Sequence, residues 1–162
     1  GWTVLRCAWF AQNFDEGFLY EALLDDVVRL PVGPVPEPFV DADDIAEVAV
    51  ASLVDERHIG KLYELTGSEA ITFEQAVAQI ARATGRDIRF EQVPIEDFTA
   101  GMREAEVPQV FIDLVVSLFT EVMDGRNVAV ADGVRQALGR EPRTFAQYAR
   151  ETAATGVWNR EA

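Results

Sequence analysis

The chain has one cysteine, Cys7, one histidine, His58, and one lysine, Lys61. A lone cysteine permits no internal disulfide, and one histidine leaves no ordinary His- or Cys-rich zinc site. This sparse cysteine usage fits a reducing, cytoplasmic compartment. Glycine is present but never clustered: no two of the eleven stand closer than six positions. That excludes a G-x-G-x-x-G turn to seat a pyrophosphate, a G-x-x-x-x-G-K-[ST] loop to wrap a triphosphate, and a G-x-S-x-G nucleophile elbow. Long hydrophobic runs are missing too. The longest, over 107–122, contains Asp113 and Glu121 and is too short to span lipid. No basic n-region with an apolar core opens the sequence, so no secretory signal is expected from what it contains. Positive charge is scarce, with 14 Lys plus Arg against 28 Asp plus Glu and a net charge of −14. Apart from the spaced Arg82, Arg86 and Arg89, the basic residues are scattered among acids. Neither nucleic acid nor a membrane is expected as a partner.

What is present describes a globular chain. With 162 residues, 49% hydrophobic and 26% charged, it can bury a core as roughly one domain. Val4 and Leu5, then Arg6, Cys7 and Ala8, read as a short strand apolar on both faces, as a central parallel strand is. Phe10, Phe14, Phe18 and Leu19, interrupted by Gly17, follow as a short helical or irregular segment crossing a crevice. Four prolines within 31–38 require a loop. Asp41, Asp43 and Asp44 then cap an amphipathic helix with Ile45, Val48, Ala49, Ser52 and Leu53 as its apolar stripe. Residues 62–65 read as a strand. Thr72-Phe-Glu-Gln75 is a capping box before a helix closed by Gly85, and 88–93 alternates as a strand. Helices are expected over 94–105, from 110 to near Gly125, before Gly139, and after Thr144-Phe-Ala-Gln147, a second capping-box pattern.

Few constellations suggest chemistry. The acids at 41, 43 and 44 could ligate magnesium or calcium, but the helix start accounts for them without further ligands. His58, six positions after Ser52, could act as a general base; with no third group to orient the pair, a solvated loop histidine is the simpler reading. Cys7 could be a nucleophile activated by Arg6, yet neighbours on a strand point to opposite faces, which favours a plain buried cysteine. Acid pairs such as Asp25-Asp26 and Asp55-Glu56 read as solvated surface. The most informative stretch is residues 3–13, a strand with a sharp exit, then aromatics and two carboxamides. Such residues suit either a crevice at the carboxyl end of a parallel sheet or a core strand with packing aromatics.

The segment Thr3-Val-Leu-Arg-Cys-Ala-Trp-Phe-Ala-Gln-Asn-Phe14 resembles the T-[IV]-L-R-P-x-x-F-x-[QE]-N-F element of the NmrA-like family of atypical short-chain dehydrogenases. Phe39-Val-Asp-Ala-Asp-Asp-Ile-Ala46 is similar to that family's F-[VI]-D-x-x-D-[IV]-A step. The likeness continues through Gly60-Lys-Leu-Tyr-Glu-Leu-Thr-Gly67, Phe73 and Ala76, and again from Gly139 to Phe145. It covers essentially the whole chain, which corresponds to the carboxyl-terminal portion of a family member. Cys7 replaces the family's usual proline, loosening the strand exit.

The resemblance implies an α/β fold, the carboxyl-terminal part of a Rossmann-like NAD(P)-binding fold with a small, mainly helical substrate subdomain. One unit is expected over 1–162, with the end of the sheet and its crevice in 1–60 and the substrate subdomain in 61–162. NAD(P) is the implied cofactor, although the phosphate-binding motif is absent from this chain. Cys7, Ala8, Trp9 and Phe10 are the implied cofactor contacts. Trp9, Phe10, Gln12, Asn13 and Phe14 are the implied substrate contacts; no catalytic residue and no metal ligand is assigned. The implied function is the substrate-binding half of an NAD(P)-dependent oxidoreductase reducing a small apolar carbonyl or quinone compound. The alternatives are a non-catalytic NAD(P) redox sensor, or a short cofactor-free protein that oligomerises. In that last case a second copy would cover the bare flank of the first strand.

Overall fold

The computed structural model describes residues 1–159; the last three residues of the expected unit, 160–162, lie outside the described residues. Strand β1 (Val4–Cys7) runs parallel to β3 (Leu62–Leu65), with Val4 opposite Leu62 and Cys7 opposite Leu65. Strand β2 (Val27–Leu30) runs parallel to β4 (Arg89–Gln92), with Val27 opposite Arg89. Parallel neighbours need crossover connections, and helices supply them. Helix α1 (Tyr20–Leu24) leads into β2, α2 (Ala42–Val54) precedes β3, and α3 (Phe73–Thr84) joins β3 to β4. After β4 the described chain is helical: α4 (Ile95–Glu104), α5 (Gln109–Ser117), α6 (Gly133–Leu138) and α7 (Phe145–Thr155). The architecture is thus mixed α/β with parallel strands and a helical second half. Each sheet draws one strand from either side of residue 60.

Local sequence explains most of these elements. The Thr72 hydroxyl accepts from the Gln75 backbone N–H at 3.1 Å while Gln75 Oε1 accepts from the Thr72 N–H at 2.9 Å, a complete capping box. Gly85, at φ 68°, closes α3 in the left-handed region that favours glycine. Phe73, Ala76, Val77 and Ile80 are all buried, the 3.6-residue stripe that seats α3 against α7. At α7 only half of the box forms: Thr144 accepts from the Gln147 N–H, and the Gln147 amide donates to Glu151 instead. Asp41 caps α2, accepting from the Asp43 N–H at 3.0 Å. The main core gathers Phe14, Phe39, Phe73, Phe145, Tyr148 and Trp158, while a smaller cluster of Val40, Val48, Tyr63, Leu65, Val134 and Ala137 holds β3 to α2 and α6.

Several expectations are corrected. Asp25 is exposed, as expected, but Asp26 is not plain surface. They introduce β2, which the sequence pattern did not suggest, and Asp26 receives the Arg86 guanidinium at 2.6 Å. Arg86 also donates to the carbonyls of Leu23, Leu24 and Trp158, so it ties the α1–β2 turn to the end of the described chain. The helix expected from 110 to near Gly125 is α-helical only to Ser117 and continues as a π-helical turn, Leu118–Val122. Leu53, placed in the buried stripe of α2, is 86% exposed. Among the described residues β1 pairs on one edge only, and Val4 and Arg6 are exposed.

Gly133 shows how tightly the smaller core is built. A Cβ there would run into the Glu64 carbonyl oxygen on β3 and stand 2.8 Å from its carbon. Backbone cannot swing aside as a flexible side chain can, so α6 would have to lift from β3. Gly133→Ala is expected to destabilise the fold by about 1–3 kcal/mol, as overpacking does. A urea titration measures this as a lowered midpoint.

Candidate functional site

A cavity of about 790 Å³ opens where β1 and β3 end. Its floor comes from the carboxyl ends of those strands, Cys7 and Ala8 on one side and Leu65 and Thr66 on the other. Parallel α/β sheets leave a crevice at this place because the chain departs in different directions at the strand ends. Trp9, Phe10, Asn13 and Phe18 form one wall. Phe111, Leu114, Val115 and Leu118 of α5 and its π-helical continuation form the facing wall. Arg6, Glu64, Arg126 and Asn127 contribute polarity.

The aromatic wall is held in place by pairing. The Trp9 carbonyl accepts from the Val40 N–H at 2.8 Å, and the Ala11 N–H donates to the Val40 carbonyl at 2.8 Å. These bonds extend the strand exit past β1. Trp9 meets Phe73 edge-on with ring centroids 5.7 Å apart and also contacts Phe18 and Phe119. Phe10 stays 44% exposed, so its ring is available to a ligand. No hydrogen bond holds the Asn13 carboxamide among the described residues. Cys7 is half-buried, and burial pushes its thiol pKa up, away from the thiolate a nucleophile needs. Arg6 is engaged by Glu64 at 2.7 Å.

Of the residues expected at the site, Cys7, Ala8, Trp9, Phe10 and Asn13 line this cavity; Gln12 and Phe14 do not. Gln12 instead clamps the start of α2, donating to Asp41 and accepting from the Ala42 N–H, both at 2.9 Å. Phe14 is wholly buried among Phe39, Phe73 and Phe145. The three-residue offsets of a single 3₁₀ turn, Ala11–Phe14, explain this parting: Ala11 and Phe14 fall on its buried side. His58 is likewise no solvated loop residue. It is 1% exposed, its Nδ1 shares a 2.7 Å hydrogen bond with the Tyr63 hydroxyl, and Nε2 accepts from Arg57. Both ring nitrogens are occupied, and Ser52 is not a partner. Asp44, read as part of the helix cap, instead receives Arg140 and Arg143.

One functional candidate escaped the sequence reading. Glu37 lines the cavity and is 0% exposed, and among the described residues neither of its carboxylate oxygens has a hydrogen-bond partner. Burial, with a smaller repulsion from Asp124, pushes its pKa up to about 7. The signal available in the sequence was an acid between two prolines in an otherwise apolar stretch, which reads as a loop whatever it faces.

Comparison with known proteins agrees with the fold. An uncharacterized oxidoreductase, YesF, of Bacillus subtilis (strain 168) is 30% identical over 160 residues, covering 97% of this chain and 56% of the relative. The NAD(P)H azoreductase of Xenophilus azovorans is 28% identical over 155 residues, covering 94% of this chain and 53% of the relative. The crystal structure of an NADPH-dependent quinone oxidoreductase from Escherichia coli, complexed with NADPH, superposes with a TM-score of 0.77 at 21% identity. It covers 91% of this chain and 52% of that one, and shares a Rossmann-like fold. The chain spans about half the length of the curated relatives it matches. The NmrA-like family matches residues 2–149, nearly the whole of the sequence, and the chain belongs to that family.

Proposed function

We propose that this chain is the substrate-binding half of an NAD(P)-dependent oxidoreductase that reduces a small apolar carbonyl or quinone compound. The observation that carries the reading is the cavity itself: aromatic and aliphatic walls, placed at the carboxyl ends of parallel strands, with few polar groups to fix orientation. The relatives named as an azoreductase and a quinone oxidoreductase support the same chemistry. Reduced NAD(P), when bound, supplies the hydride.

The residues present suit the nicotinamide end of the cofactor. The strand exit at Cys7 and Ala8 offers a flat floor, and Trp9 and Phe10 offer ring faces. The phosphates require a glycine-rich turn, and the sequence contains none. We place their seat on a further layer against the open edge of β1. Exposed Trp2, Leu53 and Ile59 line one recess beside the start of β1 that such a layer would cover. Within the cavity, Phe10 and Phe111 hold a planar acceptor and Asn13 hydrogen-bonds its polar edge.

The test uses the intact protein with NADPH or NADH and a panel of quinones and small ketones, following loss of reduced nicotinamide. Turnover on an apolar acceptor is the expected result. Phe10→Ala should raise KM about tenfold, the loss of roughly 1.4 kcal/mol of ring contact, with little change in folding because the ring is half-exposed. Tight dinucleotide binding with no turnover on any acceptor would overturn the proposal in favour of a redox sensor.

A further inference from the structure

Glu37 is an anomaly for folding. A carboxyl group taken out of water with no donor to receive it is destabilising, and an apolar residue of the same size would pack at no such cost. Its position is nevertheless firmly fixed. Its N–H donates to the Ile71 carbonyl at 2.9 Å, and its carbonyl accepts from the Ile71 N–H at 3.0 Å. Pro36 and Pro38 restrict the backbone on either side. The side chain is thus held at the cavity wall with no hydrogen-bond partner among the described residues.

The cations nearby do not neutralise it. The charged groups around the cavity are Arg6 on β1, Glu64 on β3, and Arg126 with Asp124 beyond the π-helical turn. Arg6 pairs with Glu64, and Arg126 forks onto both oxygens of Asp124. Each guanidinium therefore has its own acid. What reaches Glu37 is the repulsion of Asp124. The neutral, protonated carboxyl is the form this environment favours, and that form has one strong donor to offer a ligand.

We propose that Glu37 is the proton donor of this cavity, hydrogen-bonding the oxygen of a bound carbonyl or quinone and delivering its proton to that oxygen as the compound is reduced. The inference rests on the oxidoreductase reading above. In the step, the carbonyl carbon gains a hydride from a reduced nicotinamide, and the C=O π pair moves onto oxygen. The new O–H bond forms as the Glu37 O–H bond breaks. An alcohol, an oxidised nicotinamide and the Glu37 carboxylate result, and water then reprotonates the carboxylate. For a quinone, the same addition gives a hydroxydienone, which loses its new ring C–H proton to water and takes up a proton on its second oxygen to give the hydroquinone.

Two measurements on the intact protein test this. The first is direct: the Glu37 carboxyl carbon, followed by NMR in wild type and identified by its loss in Glu37→Gln, should titrate near pH 7. Titration in the ordinary glutamate range would overturn the proposal, whether or not the variant is active. The second is kinetic. Glu37→Gln keeps a hydrogen-bond donor but has no proton to give, so kcat should fall about 10²- to 10⁴-fold with KM changed little. Wild-type kcat should decline as pH rises through about 7, and the residual rate of Glu37→Gln should lack that decline. Asp124→Asn, which removes the repulsion, should move the wild-type decline to lower pH without abolishing turnover. A Glu37→Gln rate within threefold of wild type would overturn this inference alone; absence of wild-type turnover on every acceptor would overturn both it and the oxidoreductase reading.

Discussion

Asp44→Ala is expected to lower folding stability by about 3–5 kcal/mol, the cost of breaking a buried ion-pair network by removing one partner. The Asp44 side chain is 0% exposed. One of its oxygens receives both the Arg140 and Arg143 guanidinium groups, and the other accepts from the Arg143 backbone N–H at 2.7 Å. This single carboxylate therefore fastens the first turn of α2 to the segment between α6 and α7, two parts of the chain far apart in sequence. Without it, the Arg143 backbone N–H loses its acceptor and, among the described residues, the Arg143 guanidinium keeps only Glu47. Glu47 pairs with the same two arginines, but its side chain is 45% exposed. The arginines hold its carboxyl below the usual glutamate range. Its contribution is consequently present above that range and is lost as the pH falls from there through the lowered folded-state value. Because water screens it, Glu47→Ala should cost less than about 1 kcal/mol. Urea denaturation of the two variants measures the contrast; equal losses would show that the pair acts at the surface.

What could be read from the sequence was whatever depends on near neighbours. The capping box at Thr72 and Gln75, the helix-closing glycine at 85, and the strand at residues 62–65 all follow from residues within a turn or two of one another. The crevice was legible in part. The aromatics and carboxamides after the strand suited a crevice or a packed core equally, and the family resemblance favoured the crevice. What was not legible depends on residues brought together by the fold. β2 looked like surface because Asp25 and Asp26 precede it; only Arg86, sixty positions later, makes Asp26 an inward anchor. His58 looked solvated because nothing local announces that Tyr63 will cover it. Glu37 is the extreme case. Its neighbours dictate backbone direction, whereas the cavity it lines and the repulsion it feels from Asp124 come from elements far along the chain.

The division between Phe10 and Phe14 gives the sharpest test of this account, because sequence alone treats the two rings alike. Phe14→Ala should cost about 3–5 kcal/mol, the range for emptying a large aromatic site in a well-packed core. Phe14 is 0% exposed, and its ring lies 5.4 Å from Phe145, 5.5 Å from Phe39 and 6.0 Å from Phe73, centroid to centroid. Those three rings come from different parts of the chain, and Phe39 also contacts the other two. A side chain cannot simply collapse into the gap without disturbing several edge-to-face contacts at once. The Phe14 carbonyl also accepts the Trp158 indole N–H at 2.9 Å, so any shift of the 3₁₀ turn is passed to the end of the described chain. Phe14→Leu, which refills most of the volume, should cost about 1–1.5 kcal/mol. The accompanying ligand measurement runs the other way. Phe14 does not line the cavity, so a folded Phe14→Leu protein should keep its acceptor KM, whereas Phe10→Ala keeps its stability and loses affinity. If Phe14→Leu weakened acceptor binding as much as Phe10→Ala, the ring at position 14 would belong to the ligand wall, and this separation of core from crevice would be wrong.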